Sequence, residues 1–115
     1  MKKNILLAAL LSAASFSALA GGNIEAGKAV TVKYDCFSCH GADFKTPTDP
    51  SYPFLAGQKQ DYLAHALKAY QRGAEGPNGR GNAIMGAKAK ALSSEEIENV
   101  AAYLHSLPGP LVLKK

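Results

Sequence analysis

The chain has two cysteines, and only two residues separate them: Cys36-Phe37-Ser38-Cys39-His40. That spacing constrains the fold more than any other feature. A disulfide closing so short a loop removes little freedom from the unfolded chain, so a structural staple does not account for the pair. A structural zinc site needs four ligands, and no second Cys/His pair follows at ligand spacing. A thioredoxin-like redox pair needs a βαβ setting, and no segment alternates with the period of a strand. What remains is the pattern C-x-x-C-H, the attachment sequence for haem. Thiols three positions apart can each add to one of the two vinyl groups of a porphyrin. The residue that follows then projects its imidazole towards the iron. His40 is the expected ligand, with its other ring nitrogen held by an acceptor.

The first twenty residues have a different use. Met1-Lys2-Lys3 is a basic start, Ile5 to Ala14 is apolar apart from Ser12, and Ala18-Leu19-Ala20 is a small-x-small ending. This is the layout of a secretory signal, with cleavage expected between Ala20 and Gly21. Ile5 to Ala20 is 16 residues with three serines, short of the roughly 20 apolar residues that span a bilayer. Residues 21–115 then form one domain. That domain carries 11 Lys+Arg against 9 Asp+Glu, a net charge of +2 rather than the +4 of the whole chain. There is no dense basic stripe with interleaved aromatics, so nucleic acid is not an expected partner.

Three amphipathic helices are expected in residues 21–115, with loops rich in Gly, Pro and Asn between them. The first runs from about Asn23 to Tyr34, with Ile24, Val30 and Tyr34 inward. The second runs from about Gln58 to Gln71, where Tyr62, Leu63, Ala66, Leu67 and Tyr70 make one apolar face. The third opens on Ser93-Ser94-Glu95-Glu96, a capping box. It buries Ile97, Val100, Ala101 and Leu104 and stops at Pro108-Gly109. A shorter helix is expected near Ala87 to Ala91. The class is all-α, three to four short helices around one haem. Large apolar residues number 24 in residues 21–115, with no Trp, a thin core that leaves room for an apolar cofactor.

Met85 is the only methionine left once Met1 is removed, and it sits in the polar, glycine-rich run Arg80-Gly81-Asn82-Ala83-Ile84-Met85-Gly86. A core-filling methionine more usually lies on an apolar helical stripe. Met85 is therefore the candidate second iron ligand, whose thioether raises the reduction potential relative to a second histidine. His65 and His105 are the alternatives, and both read better as solvated or edge-of-core residues.

With these motifs in place, the chain resembles the class I cytochromes c, in particular the short bacterial c4/c5/c553-like group. Cys36 to Asp43, Tyr52-Pro53-Phe54-Leu55-Ala56-Gly57-Gln58, Tyr70-Gln71-Arg72-Gly73, Arg80 to Met85 and Ala101-Ala102-Tyr103-Leu104 are similar to the family's segments. The resemblance implies that the Pro53 carbonyl accepts the His40 ring N–H, and that Arg80 lies near a haem propionate. It also implies that the terminal helix crosses the first at Gly27. Two departures stand out: the link Gly73–Gly79 is longer than the usual one, and Ala83 stands where a proline is often found. The expected function is that of a periplasmic one-electron carrier, not an enzyme, exchanging electrons with redox protein donors and acceptors such as a membrane oxidase or periplasmic dehydrogenase. A haem enzyme or gas sensor, and a haem subunit docked permanently on a larger enzyme, are the competing readings. Lys45, Lys59, Lys88 and Lys90 are candidate docking lysines.

Overall fold

The computed structural model describes residues 21–110, and the expected signal peptide and the last five residues lie outside them. The elements are α1 (Ile24–Lys33), α2 (Phe37–His40), α3 (Gln60–Arg72), α4 (Ala83–Ala91) and α5 (Ser94–Ser106), with no strand among the described residues.

Each longer helix owes a boundary to a local device. The Asn23 side chain accepts from Ala26 N–H at 2.9 Å and starts α1. The expected capping box opens α5: Ser93 Oγ accepts from Glu96 N–H and Glu96 accepts from Ser93 N–H, both at 3.0 Å. α3 ends at Gly73, which takes a φ of 75°.

α1 and α5 pack together as the frame of the domain. A Cβ on Gly27 would collide with the Asn99 carbonyl and lie 2.7 Å from Tyr103 Cβ, so only glycine allows this approach. Beside the crossing, the buried Asn99 side chain accepts from Asn23 N–H at 2.8 Å. The expected stripe of α5, Ile97, Val100, Ala101 and Leu104, is wholly buried and joins Val30, Phe44, Leu63 and Ala64 in one cluster. Phe44 meets Tyr103 edge to face at 6.1 Å.

The structure corrects the sequence reading at two places and refines it at two others. Ile24 is exposed, while Thr31 is buried beside Val30, so the inward face of α1 is rotated from the expected one. Among the described residues the attachment motif itself forms a single turn, α2, beside the four longer helices. The expected apolar face of α3, Tyr62, Leu63, Ala66, Leu67 and Tyr70, lines a cavity, with Tyr62 half exposed, while Ala64 and Ala69 are buried besides Leu63. The short helix begins at Ala83 rather than Ala87, so Met85 is helical. Its N-cap is Asn82, whose side chain accepts from Ile84 N–H at 3.0 Å and Met85 N–H at 2.9 Å.

Candidate cofactor-binding site

The end of α1 aims the cysteines. Asp35 takes a φ of 55°, the left-handed conformation that Asp tolerates better than most residues. Its N–H reaches Val32 O at 3.2 Å and the Cys36 N–H reaches Thr31 O at 3.0 Å, the paired bonds that close a helix and turn the chain away. The next turn is α2. Cys36 and Cys39 are free and half-buried on it. Burial pushes the Cys36 thiol up, against the opposing charge of Lys88.

His40 closes α2 and is 5% exposed. Its Nδ1 lies 3.1 Å from Pro53 O. A carbonyl can only accept, so Nδ1 carries the proton, and in the neutral ring Nε2 keeps its lone pair. This is the His40–Pro53 pairing implied by the resemblance. The loop that brings Pro53 here is tied at several points. Thr48 N–H and Oγ–H both donate to Cys39 O, and Leu55 and Ala56 N–H donate to Phe44 O. Gly57 N–H donates to Leu104 O.

Two cavities open against these residues. The first, with about 630 Å³ of empty space counting its open mouth, is lined by Cys36, Cys39 and His40 on one wall and Ile84, Met85 and Lys88 on another. The second, about 1010 Å³ on the same measure, meets Cys39, His40, Pro53 and Met85, and reaches Tyr62, Tyr70 and Arg80. Leu55, Leu67 and Leu104 border both. His65 and His105 border neither, and His105 Nδ1 is engaged with Gln58 O at 2.7 Å.

Arg80 reaches the second cavity despite the long link before it. The segment folds on itself, with Gly76 N–H donating to Gly73 O and Gly79 N–H to Gly76 O, while the Arg72 guanidinium donates to Pro77 O and Asn78 O. The chain returns with Arg80 N–H on Ala69 O at 3.0 Å. The Arg80 guanidinium then lies 5.5 Å from the Tyr62 ring and 5.8 Å from the Tyr70 ring, and donates to Tyr62 OH at 3.3 Å.

The model of the cytochrome c family matches residues 24–108, nearly all of the described structure. The chain belongs to the cytochrome c family. Among the relatives of this cytochrome, the cytochrome c-554(548) of Halomonas halodenitrificans is 41% identical over 71 residues, covering 62% of this chain and 82% of the relative. The thiosulfate dehydrogenase electron acceptor of Stutzerimonas stutzeri is 37% identical over 105 residues, covering 90% of this chain and 46% of the relative. The crystal structure of reduced recombinant cytochrome c4 from Pseudomonas stutzeri superposes with a TM-score of 0.68 at 33% identity, over 78% of this chain and 48% of that one. The chain thus spans about half the length of several curated relatives that it matches.

The cofactor of this bacterial class I cytochrome is covalently attached haem c, and Cys36, Cys39 and His40 form its C-x-x-C-H motif. The walls suit it. The two cavities adjoin at Cys39, His40 and Met85 and share the apolar side chains of Leu55, Leu67 and Leu104. Phe54, Tyr62 and Ile84, about half exposed as they stand, all border the second cavity. These large apolar side chains face the space that a macrocycle fills.

Two contributors to the site escaped the sequence reading. Lys88 was read only as a docking lysine, yet its Nζ donates to Tyr34 O at 2.9 Å. Gln71 donates from Nε2 to Ala89 O at 2.8 Å and Leu92 O at 2.9 Å. Position in the helices is the one signal that could have found them: Lys88 lies one turn beyond Met85, and Gln71 lies in the last turn of α3.

Proposed function

We propose that the protein is a periplasmic one-electron carrier, not an enzyme, with His40 and Met85 as the two protein ligands of its haem iron. The observation that carries this reading is that His40 and Met85 both line both cavities, while His40 already has Nδ1 committed to Pro53. When bound, haem supplies an iron couple that exchanges a single electron. The chain's own residues do the rest. Cys36 and Cys39 hold the group covalently, and the Pro53 carbonyl orients His40 and raises its basicity. Met85 offers a thioether that favours reduced iron. Leu55, Leu67 and Leu104 keep water from the walls. Arg80, held between Tyr62 and Tyr70, offers a fixed cation to a haem propionate. With both protein ligands in place no position remains for a substrate.

Export follows from the layout of Met1 to Ala20, so the mature protein starts at Gly21. No helix among the described residues is long and apolar enough to cross a membrane. The partners are redox proteins, a donor and an acceptor. A relative named as the electron acceptor of thiosulfate dehydrogenase supports that class of partner. The test is a potentiometric titration of protein recovered from the periplasm, with its N-terminus sequenced. A one-electron wave, a low-spin ferric spectrum with a sulfur-to-iron band, and Gly21 as first residue are expected. A high-spin ferric spectrum with an open iron position contradicts the carrier reading.

A further inference from the structure

α4 carries Met85, yet apolar burial does little to hold it. Ala89 is its one buried residue, Ile84 is 53% exposed, and Gly86 adds no side chain. The helix is nine residues long, and so short a helix is marginal unless neighbours hold it. Two side chains tie it to the rest of the fold through three hydrogen bonds. From α3, the Gln71 amide bridges Ala89 O and Leu92 O, in the last turn and at the C-cap. Ala89 O also accepts from Leu92 N–H at 3.1 Å, so the amide adds a second donor there and gives Leu92 O a partner from outside the helix. From α4 itself, Lys88 crosses to Tyr34 O, two residues before Cys36, so its charge-assisted bond joins the Met85 side of the site to the cysteine side.

We infer that Gln71 and Lys88 are positioning residues for Met85: together they clamp α4 against the site and keep the thioether on the iron. The inference rests on the reading of Met85 as a ligand. Truncating Gln71 leaves α4 folded through Asn82 and Ala89 but frees its C-terminal end. Losing Lys88 frees the face one turn beyond Met85. Because a net hydrogen bond shifts such an equilibrium by up to about tenfold, each loss raises the population with sulfur off the iron by about that factor.

The experiment heats the ferric holoprotein and follows two signals, the sulfur-to-iron band and the helical circular dichroism. Gln71→Ala and Lys88→Met are compared with wild type, with Gln71→Lys and Lys88→Arg as donors that restore the bonds. Ile97→Val, in the core and away from α4, controls for general loss of stability. The expected result is that Gln71→Ala and Lys88→Met lose the band well before the helices melt. At a fixed temperature their bandless fraction is about ten times that of wild type, and the donor variants recover. Ile97→Val shifts both signals together. If band and helices shift together in the two clamp variants as well, or if neither shifts, the clamp is overturned while Met85 ligation stands. A wild-type protein that shows no sulfur band overturns both.

Discussion

The two walls of the haem site are built differently. The His40 wall is a one-turn helix locked into the fold by its neighbours. Asp35 turns the chain into it, and Thr48 doubly engages Cys39 O. Pro53 O takes the ring proton. Gly41 leaves the helix at a φ of 90°, where a Cβ would press on the Thr46 carbonyl. His40, Phe44 and Ala56 are all buried. The Met85 wall is a helix with a single buried alanine, a cap at one end and three long-range side-chain bonds towards the other, two from Gln71 and one from Lys88. Covalent attachment and His40, the proposed first ligand, thus belong to the part more densely tied into the fold. Met85, the proposed second ligand, belongs to a part that should open more readily, because local opening follows the density of buried contacts. On the proposed ligation, such a division leaves the ligand that tunes the potential sensitive to a few hydrogen bonds while the thioether links retain the cofactor.

The most severe way to break this contrast is to remove what the first wall holds. Cys36→Ser with Cys39→Ser should abolish haem staining on a denaturing gel. The protein should also lose most of its helical circular dichroism, because the cavities between the walls are then left without their filling and binding to the native state no longer supports the fold. A cooperative, native-like melt of the haem-free chain would show that the walls stand without the cofactor.

Gly27→Ala strikes the frame that both walls share. The added methyl meets backbone at Asn99 rather than a movable side-chain tip, so the cost should be at or above the upper end of the usual overpacking range, about 3 kcal/mol. Denaturant unfolding of the holoprotein measures it. The sulfur band should survive in whatever fraction remains folded, because the frame acts on both walls alike. Selective loss of the band would show that α1 and α5 position Met85 more directly than the contacts indicate.

The smallest effect comes from acid. The Ser93 N–H bond holds Glu96 below the ordinary carboxylate range, with Tyr34 and Lys33 helping. A depressed folded value means that the contribution is complete above the unfolded value of about 4.3 and is lost as pH falls through the lower folded one. Glu96→Gln should lower the melting temperature slightly at neutral pH and flatten its fall on acidification. The difference from wild type should vanish at low pH. A variant whose acid limb matches that of wild type would remove Glu96 from the frame.

The sequence was most readable where chemistry or periodicity leaves a regular mark. Cys36, Cys39 and His40 follow from spacing. Ile97 to Leu104 repeat at helical intervals, and Ser93 with Glu96 announces a helix start. Met85 was read as the candidate second iron ligand and placed in a loop, whereas the structure puts it in α4 on the lining of both cavities. Gly81 and Gly86 flank it, and the Ala-Lys alternation that follows has no apolar stripe, so periodicity could not reveal α4. Asn82 was the available clue, since Asn is a strong N-cap. α2 is too short for any period to show. Gln71 and Lys88 bond to backbone carbonyls far along the chain, and an acceptor present at every residue leaves no sequence trace. Arg80 was legible by resemblance, but its route to the cavity depends on how residues 73–79 fold back under Arg72, which composition alone does not specify.

The most direct test of the account is carbon monoxide binding to the reduced holoprotein, with wild type beside Met85→Ala. Carbon monoxide needs an open iron position, and the account fills both positions with protein. Reduced wild type should bind it poorly or not at all. Met85→Ala should bind it readily while keeping its covalent haem, since Cys36, Cys39 and His40 are untouched, and its reduction potential should fall with loss of the thioether. Ready binding by wild type, or a variant indistinguishable from wild type in gas binding and potential, would show that Met85 is not the ligand and that α4 is no more than a lid.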